Sequence, residues 1–204
     1  MNSFLNTKII IDKSIVEKRI DFLDIPMISE ENAIFCEISR DEYQTHFNIP
    51  IIRSGIIQNK GSYYFFDHNI VKTPHNNVYY RGTDGSNGSY DILEISESMF
   101  KKIKDNNGHY TSWEIIFDNF YHFGKRFIHI NKGGYPEILE YISYFDESGN
   151  LIIPYNTSPS GIKDGTTIGE FLENHRKNYP KESKLELNKS VLRDTQIDNI
   201  LNEI

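Results

Sequence analysis

A series of short apolar runs separated by turn residues constrains the fold of this chain more than any other feature. Runs at Ile51–Ile57 and Ser62–Phe66 flank the turn Asn59-Lys60-Gly61, and two more runs follow at 78–80 and 90–95. Such short turns join antiparallel neighbours, because a parallel pair of strands needs a longer crossover connection. The pattern therefore predicts an antiparallel sheet rather than a β-α-β repeat.

Further strand-like runs occur on both sides of this region, at 8–11, 32–38, 126–130, 139–145, 151–155 and 185–187. The turn Glu147-Ser148-Gly149-Asn150 predicts a hairpin between the two runs that flank it. Pro154 cannot donate a ladder hydrogen bond, so its strand is expected at a sheet edge or to end there. Together the runs predict a mostly antiparallel sheet of about six to eight strands.

Apolar periodicity and capping residues predict helices at 14–20, 39–47, 96–104, 111–123, 167–178 and 190–204. The helix near 111–123 has the clearest pattern, an apolar stripe at positions i, i+3, i+4 and i+7 formed by Trp113, Ile116, Phe117 and Phe120. Thr111 and Glu114 have the spacing of a capping box, and Gly124 stands where a left-handed C-terminal cap belongs. The polar residues Glu114, Asp118 and His122 take the opposite side of the helix. The fold class is therefore α+β, with the sheet packed against a few helices that include a C-terminal one.

The chain of 204 residues is expected to form one domain. The loop at 156–166 is the one candidate boundary, and it would leave about 38 residues behind it, too few to fold alone. The sequence therefore predicts a single α+β domain over residues 1–204. The helical segment 167–204 is expected to pack on the rest of it.

Charge and cysteine content limit the classes of function. The net charge of −7 argues against nucleic acid as a partner, because a phosphate-binding surface needs clustered lysine and arginine. It favours either a soluble monomer or a basic partner. Cys36 is the single cysteine, so no intrachain disulfide and no cysteine-built metal site is expected. No secretion signal or membrane-spanning run is found, and the expected location is the cytoplasm.

A glycine-rich polar loop is the main candidate for a binding site. Three glycines, Gly82, Gly85 and Gly88, alternate with hydrogen-bonding residues, and the candidate ligand or partner contacts are Arg81, Thr83, Asp84, Ser86 and Asn87. Glycines let main-chain N–H groups converge on an anion, and an arginine can clamp a phosphate or carboxylate. The alternative is a long hairpin loop whose polar side chains satisfy their own backbone.

Other chemical motifs are incomplete in this sequence. Asp91 and Glu94 lie three apart in a predicted strand, so they face opposite sides and are expected to be ordinary outward carboxylates. Seven histidines are present, but no two have the helical i, i+4 spacing of a zinc site, and no metal site is predicted. No G-x-S-x-G segment occurs, so the sequence predicts no catalytic serine of the hydrolase type.

Two short segments resemble the ADP-ribosyltransferase toxins. Val78-Tyr79-Tyr80-Arg81-Gly82 is similar to the strand that carries their NAD-binding arginine, and Asn156-Thr157-Ser158-Pro159-Ser160 is similar to their Ser-Thr-Ser stretch. The resemblance implies that Arg81 holds the NAD pyrophosphate, that Ser158 supports the strand at the nicotinamide ribose, and that a glutamate steers the acceptor. Glu186 follows in the right direction along the chain, but Lys184 stands where the family has a glutamate or glutamine.

Two hypotheses from different classes follow. The first is a small, acidic interaction protein without a cofactor, such as an immunity or inhibitor protein of bacteria or phage, which binds and blocks a partner protein. Its support is the acidic charge and the many tyrosine, asparagine and serine residues in loops, which suit protein recognition. The alternative is an enzyme that uses a nucleotide or NAD, with Arg81 at the phosphates.

Overall fold

A computed structural model describes residues 3–14, 17–20, 33–39, 51–70, 88–132, 135–155, 158–159 and 161–188. The strands are β1 (Ile9–Asp12), β2 (Glu17–Ile20), β3 (Ala33–Ser39), β4 (Ile51–Asn59), β5 (Ser62–Ile70), β6 (Gly88–Ile95), β7 (His109–Tyr110), β8 (Lys125–Lys132), β9 (Tyr135–Ile142), β10 (Tyr144–Phe145), β11 (Leu151–Pro154), β12 (Ser183–Lys184) and β13 (Glu186–Leu187). The helices are α1 (Ser3–Asn6), α2 (Glu97–Asp105), α3 (Ser112–His122) and α4 (Ile168–Asn178).

The largest layer is an eight-stranded sheet in the order β13-β3-β4-β5-β6-β8-β9-β2. All of its neighbouring strands pair antiparallel. The predicted hairpin between β4 and β5 is present, with Asn59 opposite Ser62 and a turn through Lys60 and Gly61. Both turn residues have positive φ, as a two-residue hairpin turn of this hand requires. The predicted α+β class and the mostly antiparallel sheet are confirmed.

Two small sheets complete the β structure of the described chain. In the first, β1 pairs parallel with β11, and β11 pairs antiparallel with β10 across the predicted hairpin. Pro154 is the last residue of β11, so the prediction that its strand ends there is confirmed. In the second, β12 pairs antiparallel with β7. This pairing brings the segment after α4 back to the turn between α2 and α3.

The helix predicted at 14–20 is wrong, because Glu17–Ile20 form strand β2. This strand closes one edge of the large sheet, where Glu17 lies opposite Tyr141 and Ile20 lies opposite Ile138 of β9. A helix of seven residues is too short to be stable by itself. Pairing with an open sheet edge satisfies the same backbone groups along one side, so the tertiary partner decides the conformation.

The aromatic-faced helix predicted near 111–123 is confirmed as α3. Ile116, Phe117 and Phe120 are buried, and Trp113 packs against the core while remaining partly exposed. Gly124 follows the helix with φ of +71°, as the cap prediction requires. The helix lies on strands β6 and β8 of the large sheet, which places its apolar stripe in the core.

One detail of that helix was predicted wrongly. Thr111 is the N-cap residue, but its side chain makes no capping hydrogen bond, and the Glu114 carboxylate is bound by Lys102 and Arg176. Glu114 and Asp118, on the side opposite the apolar stripe, are buried at 6% and 4% exposure. Helices α2 and α4 supply cations and hydroxyl groups to this polar side, so it is covered as well as the apolar side.

The other described helices follow their capping signals. Ser96 caps α2, and its hydroxyl accepts a hydrogen bond from the Met99 amide at 3.1 Å. Thr167 and Glu170 form a complete capping box at the start of α4. Leu172 is buried and Phe171 packs against the core. The short helix α1 has no counterpart among the predicted elements.

The main core lies between the large sheet and the helices. It includes Phe65 and Leu93 from the sheet, Ile115 and Phe117 from α3, and Ile168 from α4. A smaller cluster around Cys36, Ile57 and Phe66 lies on the other face of the sheet. Cys36 is buried within this cluster.

Several predicted elements lie outside the described residues, namely the helices at 39–47 and 190–204 and the strand at 78–80. The single-domain organisation over 1–204 stays a prediction. Among the residues that are described, no helix is long and apolar enough to cross a membrane.

Candidate functional site

The predicted contacts of the glycine-rich loop, Arg81, Thr83, Asp84, Ser86 and Asn87, lie outside the described residues. Their roles stay predictions. The structure takes up the chain again at Gly88, where β6 begins.

Ser158 is the one predicted site residue that the structure describes. Its hydroxyl donates to the Tyr155 carbonyl at 2.7 Å, and its amide donates to the same oxygen at 3.1 Å. Ser158 therefore stabilises a turn after β11, beside a depression of about 540 Å³ that Tyr155 and Asp164 also line. Glu186 lies in β13, at an edge of the large sheet and opposite Cys36. The turn with Ser158 follows β11, which belongs to the three-stranded sheet.

A second and larger concavity lies between α3, α4 and residues 159 and 161–166. We call it the aromatic groove. It measures about 660 Å³ and is lined by Trp113, Pro159, Gly161, Ile162, Lys163, Thr166, Phe171, Asn174, His175, Asn178 and Tyr179. Pro159, Gly161 and Ile162 also line the depression beside Ser158, so the two concavities share one wall. The groove was not predicted from the sequence.

Aromatic rings form a continuous series along the groove. The ring centroids of Trp113 and Phe171 are 5.7 Å apart at an interplanar angle of 81°. Those of Phe171 and His175 are 5.8 Å apart, and those of His175 and Tyr179 are 5.0 Å apart. Phe171 is anchored from below by Phe117 of the core at 5.5 Å. The inner end of the series is therefore fixed, while Tyr179 at the outer end is 65% exposed.

Helix α4 explains how the sequence builds this surface. Its core side carries Ile168 and Leu172, which are buried. Phe171 and His175 lie four residues apart on α4 and form a second stripe beside the core stripe, and Tyr179 follows directly after the helix. A signal for this stripe was present in the sequence, because residues at i and i+4 of one helix share a side. His175 and Tyr179 extend the series of rings beyond Phe171, which packs against the core.

A second cluster crosses the large sheet on its helix-covered face. Glu37, Ser54, Asp67 and Asp91 lie directly opposite one another on β3, β4, β5 and β6. We call them the polar row. It runs beside an apolar row of the same strands formed by Phe35, Ile56, Phe65 and Leu93. The Ser54 hydroxyl donates to Asp67 at 2.7 Å. The prediction that Asp91 faces outward is wrong, because this aspartate is only 7% exposed and lies on the core face.

Arg126 balances part of the negative charge in the polar row. Its guanidinium donates to the Asp91 carboxylate, and both residues are buried. Burial raises the pKa of Asp91; Arg126 lowers it in part and Asp67 raises it further. Burial also raises the pKa of Tyr110, which packs beside the row, to about 12. Because Asp91, Arg126 and Tyr110 are buried in the core, they form a structural network rather than a binding site open to solvent.

A third cluster joins the helices to one another. Glu114 of α3 accepts from Lys102 of α2 at 3.0 Å and from Arg176 of α4. Asp118 accepts from the amide and hydroxyl of Ser96 at 2.8 and 2.6 Å. Burial raises the pKa of Asp118, against the effect of these hydrogen bonds. The cluster fixes the positions of α2 and α4 on α3, and so it fixes one wall of the aromatic groove.

No group of three or more metal-ligating side chains suited to a metal ion occurs within the described part of the chain. The aromatic groove is therefore the surface of the described structure that best fits a ligand or a partner. It is concave, it exposes aromatic rings beside amide groups, and its walls are fixed by the core.

Comparison of the chain with protein-family models, with curated proteins and with solved structures finds no match in any of the three.

Proposed function

We propose that this chain is an interaction protein that binds a partner protein through the surface around the aromatic groove. The observation that supports this best is the exposure of large aromatic side chains beside a concave surface. Tyr155 is 61% exposed next to the depression at Ser158, and Tyr179 is 65% exposed at the outer end of the groove. Tyrosine and tryptophan supply large contact areas at low cost in conformational entropy, and they are enriched among the residues that dominate binding energy.

Charge favours a basic partner. The chain carries a net charge of −7, and a field of one sign raises the association rate with a protein of opposite sign. In the finer form of the proposal, the chain is an immunity or inhibitor protein that acts in the cytoplasm and blocks the activity of its partner.

Photo-crosslinking from the groove tests the proposal in cells that express the chain. A benzophenone amino acid replaces Tyr179, and in a matched control it replaces Lys60 on the turn between β4 and β5. The proposal expects one crosslinked partner from position 179 that is absent from position 60. The partner is then purified, and Tyr155→Ala and Tyr179→Ala are each expected to weaken its binding at least about tenfold, as for residues at the centre of an interface.

The outcomes separate the proposal from its alternative. A partner whose binding is unchanged in both tyrosine variants would contradict a role for this surface. The NAD-using enzyme of the sequence analysis predicts instead that NAD at about 100 times its Kd stabilises the chain by about 2.7 kcal/mol. That stabilisation would have to be lost in Arg81→Ala, and its presence would support the enzyme over the interaction protein.

A further inference from the structure

The charged side chains that line the aromatic groove are basic, although the whole chain is acidic. Lys163 and His175 line it, and none of the described residues in its lining is an aspartate or a glutamate. Lys163 is exposed, and its ammonium group forms no ion pair with another residue that the structure describes. In the adjoining depression, Lys13 accompanies Asp164, whose carboxylate accepts from the Ile11 amide at 2.9 Å. The lining of the groove therefore favours an anionic ligand.

The rings give that ligand a surface for stacking. The planes of Phe171 and His175 meet at 33°, and those of His175 and Tyr179 meet at 32°. The ring planes therefore change direction gradually along this side of the groove. Tyr179 is largely exposed, so much of its ring is free to contact a ligand. Aromatic side chains bind the planar bases of nucleotides by stacking, and every base offers a face for it.

Two amide side chains supply hydrogen bonds next to these rings. Asn174 and Asn178 line the groove, both are exposed, and neither carboxamide is hydrogen-bonded to another residue of the described chain. They lie four residues apart, so they share one side of α4. A carboxamide presents a donor beside an acceptor, which is the complement of the N6 and N7 edge of adenine. The groove can thus bind both the face and the edge of a purine.

The size and charge of the groove suit one nucleotide. Its volume of about 660 Å³ lies in the range of sites that hold small molecules, about 300–1,000 Å³. A lysine ammonium binds phosphate as a point charge, and Lys163 provides one beside the rings. A longer nucleic acid strand fits less well, because the net charge of −7 repels a chain of phosphates.

We propose that the aromatic groove binds a nucleoside monophosphate, with adenine as the preferred base. The base packs against the rings of the groove, Asn174 and Asn178 bind its edge, and Lys163 binds the phosphate. The inference does not rest on the proposed partner protein, since it follows from the lining of the groove alone.

Titration of the full chain with AMP tests this inference. Trp113 is the single tryptophan of the chain and lines the groove, so its emission reports binding there. It is excited at the red edge of its absorption, where nucleotides do not absorb. We expect AMP to quench this emission to saturation. Adenosine, inorganic phosphate and UMP should each bind at least about tenfold more weakly, because each lacks one part of the match. Phenylacetate, an aromatic anion without a base edge, should also bind more weakly.

Three variants assign the contacts. Lys163→Ala is expected to weaken AMP binding at least about tenfold and to leave adenosine binding unchanged. The control Lys177→Ala makes the same change of charge on α4, at an exposed pair 2.7 Å from Glu173 that does not line the groove, and it should bind AMP like the wild type. Asn174→Ala/Asn178→Ala should bind AMP and UMP equally. Circular dichroism shows whether each variant is folded.

Several results would overturn the inference: no saturable quenching by AMP, equal binding of AMP and adenosine, or equal AMP binding by Lys163→Ala and Lys177→Ala. An adenine preference that persists without the two asparagines would also overturn it. Quenching by phenylacetate as strong as that by AMP would show a site for aromatic acids instead of nucleotides. Arg81→Ala should bind AMP like the wild type, and a loss there would place the nucleotide at the glycine-rich loop. The titrations contain no partner protein, so their failure would leave the proposed interaction function standing.

Discussion

Replacement of Gly108 by alanine is expected to destabilise the fold strongly. Gly108 lies in the turn after α2 and has φ of +84°, a conformation that costs a residue with a side chain about 1–2 kcal/mol. A Cβ atom here would overlap the Leu185 carbonyl oxygen and lie 3.0 Å from the carbonyl carbon. Because the obstacle is backbone, no rotamer change relieves the overlap. The segment that carries Leu185 must move away.

That movement sets the magnitude of the effect. The Leu185 side chain is 1% exposed, and burial of a leucine stabilises by about 1.5–3 kcal/mol. The Leu185 amide also donates to the Gly108 carbonyl at 3.0 Å, a bond worth about 0.5–1.5 kcal/mol net. Together with the backbone cost, Gly108→Ala is expected to lose about 3–6 kcal/mol of the free energy of unfolding.

Gly61 provides a matched control. It has φ of +88°, and a Cβ atom there would meet nothing within 4 Å. Gly61→Ala should therefore lose only the backbone cost of about 1–2 kcal/mol. Urea unfolding followed by circular dichroism measures the free energy of unfolding of both variants. Equal losses in the two variants would refute the packing of the Leu185 backbone against Gly108.

Three further predictions concern buried groups. Arg126→Met leaves Asp91 buried without its cation and should cost about 3–5 kcal/mol of unfolding free energy in urea titrations. Lys177→Ala, at the exposed pair with Glu173, should cost far less. Phe117 is 0% exposed, so Phe117→Ala should cost about 3–5 kcal/mol; a loss no larger than that of Phe145→Ala, at a ring 45% exposed, would contradict its place in the core. Because burial raises the pKa of Tyr110 from 10.0 to about 12, the folded state holds this proton more tightly, and the contribution is fully present below pH 10.0 and lost as the pH rises to about 12. Ultraviolet titration of the wild type against Tyr110→Phe should show one tyrosine that ionises late, and a difference centred near pH 10.0 would refute its burial.

Much of the local structure was predictable because it depends on neighbours in sequence. The turn at Lys60 and Gly61 predicted the β4–β5 hairpin, and Gly124 predicted the left-handed cap after α3. The apolar stripe of α3 predicted which side of that helix enters the core. In each case the residues that carry the signal also make the contacts.

The candidate site was not predictable in the same way. The groove needs Trp113 from α3 beside Phe171 and Tyr179 at α4, and nothing in the spacing of these residues predicts that the two helices adjoin. The glycine-rich loop was predicted as a binding site because its polar residues are consecutive in sequence. A surface built from two helices and a loop gives no such local signal, although the ring spacing within α4 does indicate part of it.

The sequence by itself determined the α+β class, the antiparallel pairing of its hairpins and the apolar face of α3, since these follow from turn chemistry and periodicity. Only the tertiary structure decided the roles of the charged residues. Asp91 and Glu114 are hydrophilic positions by any local pattern, yet both are buried because Arg126, Lys102 and Arg176 reach them from other elements. A buried charge is stable only with partners, and partners distant in sequence become neighbours only when the chain has folded.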